Sequence, residues 1–168
     1  MHRFLLFCLA LVYPSVMVKA QSSVWVKGYV TTTQSYCGGA APSSELLAEL
    51  ATPKPLAHKV LYVKLGAQNT SKSVVVKKII SDDSGRFAVQ LRVGQTYCFV
   101  EDWKAQPFVL PQNTQTVVWD IHCLRQRYAQ ADYVISVKKK RNSTVAINYA
   151  IPCFYAPYCG TYTGPLPP

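Results

Sequence analysis

The fold class this sequence predicts is all-β: an antiparallel β-sandwich with one short helix in an inserted loop. Two patterns predict the strands. Short stretches rich in Val, Ile, Tyr and Phe alternate apolar with polar residues, the period of a half-buried strand. Gly, Pro, Asp and Ser bound these stretches at the spacing of a sandwich. A third observation is that only Ser43 to Leu50 carries helical signals.

The elements follow in chain order. Val24 to Thr31 alternates around Gly28 and reads as the first strand. A long excursion from Thr32 to Lys59 comes next, bracketed by Gly38-Gly39 and Pro53-Lys54-Pro55, and it holds the helix after Pro42. Val60 to Leu65 puts Leu61, Val63 and Leu65 on one face and Lys64 opposite. Ser73 to Ile80 is rich in β-branched residues. Asp82-Asp83-Ser84-Gly85 is a tight turn. In Arg86 to Arg92, Phe87, Val89 and Leu91 face one way and Arg86, Gln90 and Arg92 the other. Thr96 to Glu101, Thr116 to Ile121, Tyr133 to Lys138 and Val145 to Ile151 complete the set. No internal repeat or interdomain linker is visible.

Composition bounds the class. The 168 residues are 49% hydrophobic and 15% charged, which excludes a disordered tail, and the formal charge is +10. Met1-His2-Arg3 is basic, Phe4 to Tyr13 is apolar, and Val18-Lys19-Ala20 offers small residues to a signal peptidase. Residues 1–20 therefore read as a secretory signal peptide, and 21–168 as a single sandwich domain with a cysteine-pinned C-terminal tail. The apolar run is too short to span a bilayer. Removal of residues 1–20 leaves 148 residues and takes away Arg3, Lys19, His2 and Cys8. The charge is then +8, the histidines are His58 and His122, and the cysteines are Cys37, Cys98, Cys123, Cys153 and Cys159.

The stretch Ser81-Asp82-Asp83-Ser84-Gly85-Arg86-Phe87, followed by Leu91, Gly94, Tyr97 and Phe99, resembles the hairpin of carboxypeptidase regulatory-like domains. These are transthyretin-like (prealbumin-like) sandwiches of secreted bacterial proteins. Lys27-Gly28-Tyr29-Val30 is similar to that family's first strand. The resemblance covers roughly residues 24–100 and implies a seven-stranded Greek-key sandwich that serves as a non-catalytic accessory module. The chain departs from the family in its Cys37–Lys59 excursion and in its length beyond Val100. Tyr36-Cys37-Gly38-Gly39-Ala40 and the ending from Cys159 look like segments of small secreted bacterial proteins and imply no activity.

An exported chain meets an oxidising compartment, so disulfides are expected. If Tyr97 and Phe99 face the core, Cys98 points outward and needs a partner over that face. Cys37, Cys98, Cys153 and Cys159 are therefore expected to pair among themselves, with Cys123 left as a free thiol. His122 and Cys123 would point to opposite faces of an extended strand and form no dyad. No Cys-x-x-Cys and no helical His pair suggests a metal. Asp82 and Asp83 lack the acidic spacing of a calcium loop and read as a turn. Glu45 and Glu49 read as a solvated helix face. No nucleophile elbow, zincin motif or phosphate loop is present. The expectation is no catalytic, cofactor or metal site.

Lys138-Lys139-Lys140-Arg141 lies between two strands and suggests an exposed tip that meets an anionic surface, whether lipid or acidic glycan. Nucleic acid is not expected as a partner, and the chain is not expected to span a membrane. Asn69-Thr70-Ser71 and Asn142-Ser143-Thr144 fit the glycosylation pattern. The function these readings favour is a secreted or periplasmic, non-catalytic accessory or binding module at the cell exterior, with a protein or an anionic glycan or lipid surface as its partner. One alternative is an inhibitor or ligand-binding protein that uses the 37–55 excursion. Another is a small secreted hydrolase with an unrecognised site, a reading that would gain if His58, His122 and a carboxylate met in one cleft. An exposed patch of Trp103, Phe154, Tyr155 and Tyr158 would favour the binding classes. N-terminal sequencing of the exported protein is expected to begin at Gln21; a start at Met1 would sink the signal-peptide reading.

Overall fold

The computed structural model describes residues 22–139 and 144–165, and the fold is an all-β sandwich. One sheet is centred on β1 (Ser23–Gln34). Along one side of β1 lie β5 (Arg86–Arg92) and the two-residue β2 (Lys54–Pro55); along the other lies β9 (Thr144–Ile151). The second sheet runs in the order β4 (Val75–Ile80), β3 (Val60–Leu65), β6 (Thr96–Glu101) and β8 (Tyr133–Ser136). A small ribbon pairs β7 (Val117–Trp119) with β10 (Gly160–Tyr162).

The predicted alternation makes the core. Val26 and Val30 of β1, Val89 and Leu91 of β5, and Val145 and Ile147 of β9 pack against Leu61, Val63, Phe99 and Ile135 of the facing sheet. Phe87 meets Phe99 across the interface, ring centroids 5.8 Å apart. Complete burial of one such side chain contributes about 1.5–3 kcal/mol. Gly28 is required within β1 because a Cβ there would stand 2.3 Å from the Phe87 ring and 2.6 Å from the Val145 carbonyl oxygen. The Asp82–Gly85 turn forms as expected. Asp82 Oδ1 accepts from the N–H groups of Ser84 and Arg86, and Gly85 takes a φ of +72°.

Four features depart from the sequence reading. First, β9 runs parallel to β1, from Lys27 opposite Thr144 to Gln34 opposite Ile151, while every other described pairing is antiparallel. The end of β8 lies near the start of β1, as the bonds from Gly94 N–H to Val137 and from Val93 N–H to Ser22 show. A strand entering the sheet from that end must run alongside β1 in the same direction.

Second, the described residues form three helices. The expected one is α1 (Ser44–Ala51), with Ser43 as its N-cap. The others are α2 (Asp102–Ala105) and α3 (Ile121–Ala129). The strand expected over Thr116–Ile121 stops at Trp119, because the Asp120 side chain accepts from Cys123 N–H and starts α3. His122 and Cys123 therefore sit on a helix.

Third, Cys98 faces outward from the core as expected, yet that outer face is itself covered. Lys64, Cys98 and Val100 are 3%, 0% and 0% exposed beneath a layer that includes Lys104, Leu124 and Tyr128. Cys98 is a buried free thiol, and burial pushes its pKa up. Fourth, Cys123 is not free but bonded to Cys159, and Cys37 is bonded to Cys153. The parallel register explains the second bond. β1 and β9 end side by side, so the residues just beyond them approach to a Cα separation of 5.4 Å.

Loop closure of this size, across separations of 116 and 36 residues, corresponds to about 5 and about 4 kcal/mol on the chain-entropy account. Non-reducing peptide mapping is expected to recover Cys37–Cys153 and Cys123–Cys159. In a chain starting at Gln21, one thiol should label only after unfolding. Replacing Cys37 and Cys153 together by Ala should lower unfolding stability by about 2–5 kcal/mol in a denaturant titration.

Candidate functional site

The outer layer on the β3–β6 sheet is built from the segment between β6 and β8, and it makes two adjoining recesses. Trp103 of α2, Phe108, Trp119 of β7, Leu124 of α3 and Tyr158 line an apolar cleft of about 390 Å³. Leu124 and Tyr128 anchor α3 from the same face, one turn apart, and are buried. The Tyr128 ring lies 5.2 Å from Phe108 and 6.1 Å from Trp103, and its hydroxyl donates to the Gln106 carbonyl at 2.8 Å. Trp103 and Tyr158 remain 39% and 40% exposed.

The second recess, about 320 Å³, is polar and includes Glu101, Lys104, Gln130, Asp132, Asn148 and Tyr149 in its wall. Arg127 and Tyr158 line both recesses. The Arg127 guanidinium stacks on the Tyr158 ring, 3.6 Å from its centroid. Among the described residues Arg127 has no carboxylate partner. Tyr158 is held in turn, because its hydroxyl donates to the Ala150 carbonyl at 2.7 Å.

A buried polar network fastens this layer to the sheet. Lys64 Nζ donates to Asn69 Oδ1 at 2.7 Å. The Asn69 amide donates to the carbonyls of Lys104 and Tyr128 at 2.9 and 2.7 Å. Lys104 Nζ donates to the Gln130 carbonyl and contacts Asp132 Oδ1. Asp132 Oδ2 accepts from Glu101 N–H at 2.7 Å and from the Tyr149 hydroxyl at 2.9 Å. Lys59 closes the rim, pairing with Glu101 at 3.0 Å and lying over the Tyr149 ring. Burial, with the Asp132 and Glu101 carboxylates nearby, drives the Tyr149 phenol well above its usual range and keeps it protonated. Burial lowers the pKa of Lys64.

The network also settles the sequon at residues 69–71. Asn69 is 1% exposed and both its amide hydrogens are donated, so in the folded protein it is a structural plug and offers no acceptor for a glycan. The sequon at 142–144 begins outside the described residues.

The four aromatic residues whose joint patch would favour the binding classes divide. Trp103 and Tyr158 meet in the apolar cleft, whereas Phe154 stacks edge-on with Tyr155 and Tyr162. The two histidines have separate neighbourhoods: His58 pairs with Asp83 at the exposed 82–85 turn, and His122 stands on the first turn of α3. Among the described residues no three of His, Cys, Asp and Glu gather as a metal-binding group. The 37–55 excursion forms α1, which buries none of its residues. Lys138 and Lys139 are exposed after β8, while Lys140 and Arg141 lie outside the described residues. Another groove, about 470 Å³, is lined by residues including Val76, Lys77, Gln90 and Arg92; its wall has no indole and no carboxylate.

No sequence signal drew attention to Arg127, Phe108, Trp119, Lys104, Asp132 or Tyr149. Asp120 followed by Leu124 and Tyr128 four apart was the available clue to α3 and hence to Arg127.

The charge state of Lys64 gives a pH test. Its folded pKa lies below its unfolded one, so in the window between them the unfolded chain binds the extra proton and stability rises with pH. Cys98 and Tyr149 act oppositely at alkaline pH, because their acidic protons leave only from the unfolded chain. Urea midpoints of the wild type and Lys64→Met should therefore converge or cross as pH rises from about 7 to about 10, with the wild type gaining relative to the variant. Parallel curves would contradict the burial of Lys64 as a cation. A comparison of the chain with protein-family models and with curated proteins finds no match.

Proposed function

We propose that this chain is a secreted, non-catalytic binding module of the carboxypeptidase regulatory-like type, and that its ligand is a segment of acidic glycan held across the two recesses. The observation that carries the reading is Arg127. It is a guanidinium fixed flat on Tyr158, without a carboxylate partner among the described residues, at the boundary of an aromatic cleft and a polar pocket. Its planar donor fork suits a sugar carboxylate. The part-exposed Trp103 ring suits the apolar face of a sugar, and the polar wall offers partners to hydroxyls.

The net basic charge of the chain favours an anionic ligand and predicts salt-sensitive association. Secretion is supported by the two disulfides and by the signal-like start. Among the described residues no helix is long and apolar enough to cross a membrane.

Titration calorimetry with a uronic-acid oligosaccharide and its neutral, carboxyl-reduced counterpart tests the proposal. Binding should favour the acidic form. Arg127→Ala and Trp103→Ala should each weaken it by roughly 10- to 30-fold, the effect of removing an anchoring Arg or Trp from an interface. Equal binding of both forms, or binding unchanged in Arg127→Ala, would refute the assignment.

A further inference from the structure

Lys104 and Asp132 meet where water is scarce. Their side chains are 5% and 9% exposed, and Lys104 Nζ contacts Asp132 Oδ1. The two oxygens of Asp132 stand in different surroundings. Oδ1 faces the amine. Oδ2 receives two donors, Glu101 N–H at 2.7 Å and the Tyr149 hydroxyl at 2.9 Å. Two fixed donors converging on one carboxyl oxygen form a cradle for the negative charge that develops there when a nucleophile adds to the carbon.

We propose that Lys104 and Asp132 condense to an intramolecular amide, a covalent strap between α2 and the start of β8. One ammonium proton passes from Nζ to Oδ1, leaving a neutral amine against a carboxylic acid. The nitrogen lone pair forms a bond to Cγ while charge gathers on Oδ2 in its cradle. The Cγ–Oδ1 bond then breaks. Oδ1 departs as water, carrying the transferred proton and a second proton from nitrogen. One ammonium and one carboxylate give one amide and one water, with no change of oxidation state.

Three observations meet what the step requires. Both residues are positioned by bonds independent of their contact: the Lys104 carbonyl accepts from Asn69, and Asp132 N–H donates to the Phe99 carbonyl at 2.9 Å. Such fixed proximity replaces a bimolecular encounter by an internal one. The polar pocket borders both residues and gives the leaving water an exit. Tyr149 remains a donor because its phenol keeps its proton. The neighbouring Lys64–Asn69 pair lacks this arrangement. Asn69 Oδ1 accepts only from Lys64 among the described residues, and its amide nitrogen is tied to two carbonyls, so no cradle assists addition there.

Mass spectrometry of the full chain as purified, reduced and denatured, tests the proposal. The chain should be lighter by one water than its sequence requires. A tryptic map should show no cleavage after Lys104 and a branched peptide joining the segments that carry Lys104 and Asp132. Lys104→Arg should restore the full mass and abolish the branch. Tyr149→Phe, which keeps the ring and removes one cradle donor, should slow formation of the crosslink by roughly 100-fold. The full sequence mass with normal cleavage after Lys104 overturns the proposal. A water lost within a single unbranched peptide around Asp132, or a branch joining Lys64 to Asn69 with loss of ammonia, overturns it equally. If Lys104→Arg does not fold, the wild-type map decides alone.

Discussion

A single carboxamide holds the outer layer in place. Asn69 bridges Lys64 on the sheet to the carbonyls of Lys104 in α2 and Tyr128 in α3. An unpaired amide or ammonium in that position costs several kcal/mol, so each member of the network is retained only because the others satisfy it. The consequences extend outward. With α2 and α3 docked, Lys64, Cys98 and Val100 lose their solvent, Trp103 and Leu124 are set against Phe108, and Arg127 meets Tyr158. The aromatic cleft exists because the polar network does.

The disulfides complete that dependence from the other end of the chain. Cys123–Cys159 ties α3 to the segment that forms β10, and β10 pairs with β7, which supplies Trp119 to the cleft. Tyr158, the residue before Cys159, is thereby brought to the Arg127 guanidinium. Cys37–Cys153 fastens the 37–55 excursion to the end of β9. No residue of helix α1 is fully buried, and this bond and the short β1–β2 pairing tie the excursion to the sandwich at its two ends. Cys98 is left as a buried free thiol, because Cys123 of the covering helix is bonded to Cys159.

Much of the sandwich was legible in the sequence. The strands β3, β5 and β6 were read with the bounds observed, because a strand packed on one face must alternate. The Asp82–Gly85 turn was legible for the same kind of reason, since the Asp82 side chain acts on its own backbone. The site was not. The segment from Asp102 to Ala129 carries few strand or helix periods, and its helices are short. They take their stability from packing on a sheet whose outer face sequence periodicity assigned to solvent. Cys98 and Lys64 occupy alternating outward positions, and nothing local distinguishes an outward residue under a helix from one in water.

By itself, then, the sequence determined the alternation, the turns, the first helix and the presence of an odd number of cysteines in the segment after residue 20. These are properties that neighbouring residues impose on one another over a few bonds. The tertiary structure decided the parallel seat of β9, the partners of the cysteines, the second layer with its buried lysines, and the convergence of Trp103, Arg127 and Tyr158. Each of these joins residues distant in the chain. Which distant groups meet depends on how two sheets and their crossings share one core, a constraint that no single stretch of sequence contains.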